Sequence, residues 1–329
     1  MNKKTLTHFS IRYGFLIIMV LLFIFFSITR PVFLTPSNLL SILLGLTIYA
    51  ILALGETFPL IVNGMDLSIG AIASLSVMVS SYCMVILELK GYYAIIICLL
   101  MGATIGLING LLIVKLKIPD LLTTLGMMFL VQGLQLIPSA GRSIGNGMSL
   151  PNGETAKGVF DEGFKFLGQG RLFEIIPIPV AFMFIIAVIV FIVLSLTRYG
   201  RIFYAIGGNS EAARLVGVNI YKYRILAYII SGFVASFAGI VLAARVGRGD
   251  VSSGGTLLMD AIASALIGYA VLGAQKPNPF GTIVGAIFIG MLINGLTMLN
   301  VPYYTQDFIK GCVLVTALAF TFGLSKRKS

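Results

Sequence analysis

A succession of long apolar runs, separated by short polar or Pro/Gly-containing stretches, constrains this chain more than any other feature of its sequence. Each run is about 16 to 24 residues, enough for a helix rising 1.5 Å per residue to cross a hydrocarbon layer of about 30 Å. Composition closes the soluble alternative. Apolar residues make up 58% of the chain, charged residues only 11%, and mean hydropathy is +1.02, whereas a soluble domain carries roughly a quarter of its residues as charges. The fold class expected is an all-α polytopic membrane protein. Its runs lie near 13–29, 39–62, 67–87, 92–114, 121–138, 175–197, 225–245, 256–273, 280–299 and 308–323, which predicts about ten transmembrane helices. The first follows Lys3, Lys4 and Arg12 as a signal peptide would, but it lacks a small-residue cleavage site and continues into Thr29-Arg30-Pro31, so it reads as a retained span. Cys83, Cys98 and Cys312 all fall in apolar runs, where thiols pack as small hydrophobes. Neither a disulfide nor redox chemistry is indicated.

An even number of spans places both termini on one side. That side collects Lys115, Lys117, Arg198, Arg201, Arg214, Lys222, Arg224, Lys276 and the basic C-terminal residues, and this excess assigns it to the cytoplasm. The net charge of +11 then reads as topology and attraction to anionic membrane lipid. No basic run with interleaved aromatics suggests a nucleic-acid partner. The whole chain, 1–329, reads as one membrane-embedded domain. Residues 1–138 hold the first spans and 139–174 an extracytoplasmic loop; 175–329 hold the remaining spans, with a cytoplasmic loop at 198–224.

The halves echo each other. "GLINGLL" from Gly106 to Leu112 returns as "GMLINGLTM" from Gly290 to Met298, each followed by a proline, Pro119 or Pro302. Met65-Asp66 returns as Met259-Asp260. With an odd number of spans per half, the copies must be inverted, an arrangement that transporters use to expose a midplane site to each side in turn. Chance likeness between glycine-rich apolar helices gives the same pattern, and the 37 glycines fit close helix packing on either account.

Polar residues at membrane depth need a reason, since a carboxylate near the bilayer centre costs about 2.5–3.5 kcal/mol even on an insertion scale. Glu56 lies inside the second run, and Asn63 and Asp66 interrupt the pattern in "NGMDLSIG". Asp66 can cap the third span or contact a solute. Asn109 and Asn294, matched in the repeat, and Gln132, near Gln135, can line a wet path or bridge helices. Asn63, Asp66, Asn109, Gln132 and Asn294 are therefore the pathway candidates. A rival class is an ion-coupled secondary transporter that uses Glu56, Asp66 or Asp260 as a relay. An enzyme is disfavoured, because His8 is the only histidine and no paired-carboxylate or H-E-x-x-H spacing occurs. No catalytic or metal-binding residue is assigned.

The segment "RYGRIFYAIGGNSEAARLVGVNIYKYR", from Arg198 to Arg224, is too polar to span and too regular for a disordered loop. It predicts a short helix. Asn209 or Ser210 caps its start, Glu211 complements the dipole of the first turn, and Gly217 suits a left-handed C-terminal cap. Ala212, Leu215 and Val216 share one face, with Glu211 and Arg214 beside it. Such a helix suits a partner's groove or the lipid interface.

Glu211-Ala212-Ala213 followed three residues later by Gly217 resembles the EAA-type loop of bacterial ABC importer permeases. The likeness covers nearly the whole chain and points to the ribose, xylose, galactose and autoinducer-2 branch. "NGMDLSIGA" resembles that branch's G-G-x-D-L-S-x-G signature. "LKIPDLLTTLGMM", "MDAIASALIGYAVLG" and "GTIVGAIFIGMLINGL" are similar to its later segments. Two positions depart from the pattern: Asn63 stands where the signature has glycine, and "GAQKPNPFG" replaces a shorter turn.

The resemblance implies a permease in a bacterial cytoplasmic membrane, paired with an identical or related permease. An ABC ATPase subunit would lie beneath it and an extracytoplasmic solute-binding protein would dock outside. Residues Asn209, Ser210, Glu211, Ala212, Ala213, Arg214, Leu215 and Gly217 would form the ATPase-coupling helix. The solute implied is a monosaccharide or similar small polar molecule. No G-x-x-x-x-G-K-[ST] loop is present, so ATP would be bound by the partner and the chain itself needs no cofactor. Arg142, Glu154, Asp161 and Glu162 in the outer loop are candidates for docking the binding protein.

Overall fold

The computed structural model describes residues 3–149, 153–269, 271 and 276–325. In chain order the helices are α1 (Lys3–Thr29), α2 (Pro36–Ile61), α3 (Ile69–Ser81), α4 (Gly91–Lys115), α5 (Asp120–Leu136) and α6 (Glu162–Gln169), then a two-stranded turn of β1 (Arg171–Leu172) and β2 (Ile176–Pro177). They continue as α7 (Ile178–Phe191), α8 (Arg198–Gly208), α9 (Ser210–Leu215), α10 (Ile220–Val246), α11 (Gly255–Ile267), α12 (Pro279–Met298) and α13 (Tyr303–Ser325). Helices α3 and α7 each continue into a π-helical turn, at Tyr82–Ile86 and Ile192–Leu196.

Among the described residues, six helices are long and apolar enough to cross a membrane: α2, α3 with its π turn, α4, α7 with its π turn, α10 and α12. Shorter apolar helices cover Tyr13–Thr29, Asp120–Leu136 and Gly255–Ile267. Each sequence-predicted run overlaps a helix, but the run at 256–273 ends early, with α11 stopping at Ile267. The side chains of Lys3, Lys4, His8 and Arg12, the basic residues 326–328 and most of the "GAQK" turn lie outside the described residues.

Local chemistry sets the helix ends. Thr35 accepts the Asn38 N–H at the start of α2, with Pro36 in the first turn, where its missing N–H goes unmissed. Asn219 and Asn278 likewise cap α10 and α12. Packing then orders the bundle. Helix α2, buried almost continuously from Leu46 to Ile61, and α10 form the central pair. Each lies mainly on helices from the other half: α2 on α11 and α12, α10 on α4 and α3. Small residues permit close contact between α4 and α10, where a methyl group at Gly106 would sit 2.1 Å from the Tyr228 carbonyl oxygen.

Much of the 139–174 loop is folded. Phe160 and Phe164 are buried against the end of α3 and the start of α4, Ile144 bridges to Gly249, and the Gln169 amide donates to the last carbonyls of α10. Residues 150–152 of this loop lie outside the described residues.

Candidate functional site

Two adjoining regions hold most of the sequence-predicted residues: the α8–α9 loop and a buried polar hub next to it. The single short helix expected in 198–224 is two, α8 and α9. Asn209, not Ser210, caps α9, its Oδ1 accepting the Ala212 N–H at 2.9 Å. Glu211 pairs with Arg214 across one turn at 2.7 Å. At the other end Gly217 adopts φ +84°, and the N–H groups of Gly217 and Val218 reach back to the Arg214 and Ala213 carbonyls at 2.9 and 3.1 Å. This reciprocal closure satisfies the helix end, and glycine takes the left-handed position without a Cβ penalty. Ala213 is buried among Phe58, Ile61, Phe203 and Ile206 and anchors the turn. Ala212, Leu215 and Val216 point away from that anchor, Leu215 being 84% and Val216 80% exposed. The chain therefore presents an apolar tip on a rigid, capped base.

The base is tied to the membrane helices at two places. Asn63, with φ +58°, donates its side-chain N–H to the Gly207 carbonyl at 2.7 Å. Gly207 in turn lies so close to the end of α2 that a Cβ there would be 1.8 Å from the Ile61 carbonyl oxygen. On the opposite flank, the Tyr204 hydroxyl donates to the Pro277 carbonyl at 2.9 Å, and the Lys276 ammonium sits 4.7 Å from the Tyr204 ring centre. Asn63 thus stands on the exposed α8–α9 face, beside a groove of about 600 Å³ that Glu211, Arg214 and Arg224 also line.

Immediately along the chain lies the hub. Asp66 is fully buried. Its Oδ1 accepts the Ser68 N–H at 3.0 Å and the Ser68 hydroxyl, and its Oδ2 accepts the Ser231 hydroxyl of α10 at 2.9 Å. Glu56 of α2 accepts the Asp66 backbone N–H at 2.9 Å, and Asn109 of α4 donates to Ser68 at 2.9 Å. The 64–68 connection is therefore fastened to α2, α4 and α10 at once. One oxygen each of Glu56 and Asn109 stays without a partner in the buried interior.

The remaining candidates lie apart from the hub. Asn294 exchanges reciprocal amide bonds of 3.0 and 3.1 Å with Asn38 of α2, Gln132 is half-buried on α5, and Asp260 pairs with Lys310 at 2.6 Å.

Sequence reasoning missed a further cluster. Asp120, which opens α5, takes two bonds from Arg224 at 2.9 and 3.0 Å and one from the Tyr228 hydroxyl at 2.8 Å. The signal available was an acidic residue directly after Pro119 and an arginine just beyond the α9 loop. Among the described residues no group of His, Cys, Asp and Glu side chains could hold a metal ion.

The chain matches a family model described as branched-chain amino acid transport system / permease component, over residues 38–318. It is 34% identical to the ribose import permease protein of Escherichia coli (strain K12) over 303 residues, 92% of this chain and 91% of that one. Against the ribose import permease protein of Bacillus subtilis (strain 168) it is 34% identical over 309 residues, 94% and 91% of the two chains. With the D-allose transport system permease protein of Escherichia coli (strain K12) it shares 32% over 317 residues, 96% and 93%. No solved structure matches.

Proposed function

Because this chain belongs to the family of branched-chain amino acid transport system permease components, and its relatives are sugar ABC permeases, we propose that it is the transmembrane permease subunit of an ATP-driven monosaccharide importer. In this reading about ten helices span a bacterial inner membrane, with both termini cytoplasmic and two inverted halves meeting at α2 and α10. The crosswise packing of α2 and α10 on the opposite halves supports that division. The 198–224 loop faces the cytoplasm and 139–174 the outside. A separate ABC ATPase binds ATP, a solute-binding protein docks on the outer face, and a second permease, an identical copy in the simplest case, completes the path.

One observation carries the reading: α9 is a capped helix whose exposed apolar tip, Leu215 and Val216, is joined through Ala213, Gly207 and Asn63 to the end of α2. Closure of an ATPase pair would displace that tip, and the displacement would reach the 64–68 connection and the helices it fastens. The exposed residues of Asn209 to Gly217 take the coupling role. Asp66, Asn109 and Asn294 contribute to the path by setting its helix positions, whereas Gln132 lies on the more open α5.

The test is ATP-dependent uptake of labelled monosaccharides into vesicles that hold this chain, its ATPase and its binding protein, each omitted in turn. Uptake should need all three and should be lost in Gly217→Arg while the complex still assembles. Uptake that persists without the ATPase and collapses with the proton or sodium gradient would instead establish a secondary carrier.

A further inference from the structure

Helix α10 carries the chain away from α9, and α11 begins after the turn that follows it. There, between α11, α12 and α13, lies a cavity of about 660 Å³, within the range of about 300–1,000 Å³ typical of small-molecule sites. Its walls are of two kinds. Ile262, Leu266 and Leu314 give an apolar side. In the same cavity, the Lys310 ammonium lies 2.6 Å from Asp260 and 2.9 Å from Asp307. The Asp260 and Lys310 side chains are only 12% and 20% exposed, whereas Asp307 is 86% exposed. Tyr303, 84% exposed, stands at the rim.

A structural ion pair does not need this arrangement. One lysine and one aspartate would neutralise each other, and apolar side chains would hold α11 near α13 at no desolvation cost. The second carboxylate leaves the cavity with one uncompensated negative charge and acceptor oxygens turned to open space. We propose that this cavity is a solute-binding station for a neutral polyhydroxylated ring. Solute hydroxyls donate to the Asp260 and Asp307 carboxylates and accept from Lys310, while the ring's C–H face lies on the apolar wall and against the Tyr303 ring. Such two-sidedness matches a sugar, which has hydroxylated edges and less polar faces. The net negative charge disfavours sugar acids.

The inference deepens the importer reading and rests on it for transport, but binding can be read independently. Met259 borders the cavity and is 64% exposed, while Cys83 and Cys98 are buried. A Met259→Cys variant, with exposed Cys312 replaced by serine, gives a thiol reporter in the assembled permease–ATPase complex in lipid vesicles. D-ribose at about ten times its half-saturating concentration should slow maleimide labelling on the order of tenfold, and D-glucuronate should not. Asp307→Asn, at an exposed position, should raise the half-saturating concentration for both protection and uptake by about 10- to 100-fold, as loss of a charge-assisted hydrogen bond does, with the melting temperature unchanged.

Labelling unaffected by D-ribose in a complex that transports it, protection unaltered by Asp307→Asn, or a reporter thiol sealed off by the second permease would each overturn the proposal. Protection without ATP-dependent uptake would uphold the cavity and overturn the importer reading.

Discussion

Adjacent glycines at the end of α8 offer a built-in comparison. A Cβ on Gly207 would lie 1.8 Å from the Ile61 carbonyl oxygen, whereas one on Gly208 would meet nothing within 4 Å. Real Cβ contacts do not fall below 3.0 Å, so Gly207→Ala must part α8 from the end of α2 by at least 1.2 Å, the difference between 3.0 and 1.8 Å. Backbone stands on both sides, so neither can give way as a flexible side chain would. A shift of that size directed along the Asn63–Gly207 bond would lengthen it from 2.7 Å to beyond hydrogen-bonding distance. Overpacking and the lost bond together cost about 2 to 4 kcal/mol, enough to change the population of the docked loop by one to three orders of magnitude. Gly207→Ala should therefore assemble with the ATPase but lose most ATP-dependent uptake and most solute stimulation of ATP hydrolysis. Gly208→Ala should match the wild type or gain up to about 1 kcal/mol from helix propensity. Equal impairment of the two variants, or wild-type uptake in Gly207→Ala, would refute the argument that this contact carries movement from α9 to α2.

Three other substitutions separate structural from transport roles. Asn294→Leu should destabilise by about 1–3 kcal/mol, because the Asn38 side-chain oxygen loses its donor and the Asn38 side-chain N–H keeps only the Phe33 carbonyl, and the Asn38→Leu/Asn294→Leu double variant should cost less than the sum of the two single changes in thermal unfolding; strictly additive losses would indicate that Asn294 serves something other than Asn38. Asp66→Ala strips acceptors from Ser68 and Ser231 and should cost about 2–4 kcal/mol. Asp66→Asn keeps one acceptor and places a donor facing the Ser231 oxygen, so it should retain uptake, and a dead but well-folded Asn variant would show that the carboxylate itself takes part in transport. Arg224→Met leaves Asp120 without its cation and should lower stability by about 1–3 kcal/mol, an effect that Asp120→Asn in the same chain should partly reverse. Non-reversal in uptake or melting assays would mean that the two residues act separately.

Apolar run length made the helices legible because a membrane span is a one-dimensional property, long enough and apolar enough, that needs no knowledge of neighbours. The α9 cap was equally local: Asn209 and Gly217 act within four residues of the helix they close. Contacts between distant segments were not legible. Nothing near Asn63 in sequence announces Gly207, and a polar residue in an apolar run looks the same whether it faces a solute or a serine on another helix. Asp66 and Asn109 both bond to Ser68, and Asn294 bonds to Asn38 in the first turn of α2. Ala213, assigned with the rest of α9 to coupling, is the buried residue that holds the helix in place. The 139–174 loop hid its order because its anchors, Phe160 and Phe164, are scattered among glycines and charges without a helical period.

The distribution of packing also bears on what can move. Helices α2, α10, α3, α4, α11 and α12 interlock, with glycine and serine contacts that leave no slack, and a close-packed interior of that kind transmits displacement instead of absorbing it. Helices α5 and α13 are held differently. Among the described residues each packs mainly on two neighbouring helices, α5 on α3 and α4, α13 on α1 and α12, and each is also pinned by a charged contact, Asp120 to Arg224 or Lys310 to Asp260. The first pin sits on α10 just after α9, so a shift of the α9 tip would act on α5 through one arginine as well as on α2 through Gly207. The second lies in the cavity proposed to receive the solute, where a bound hydroxyl would compete for the same carboxylate. Movement from the α9 face and solute at the far end would thus converge on α5 and α13, two helices outside the interlocked core, which is the arrangement an alternating path requires.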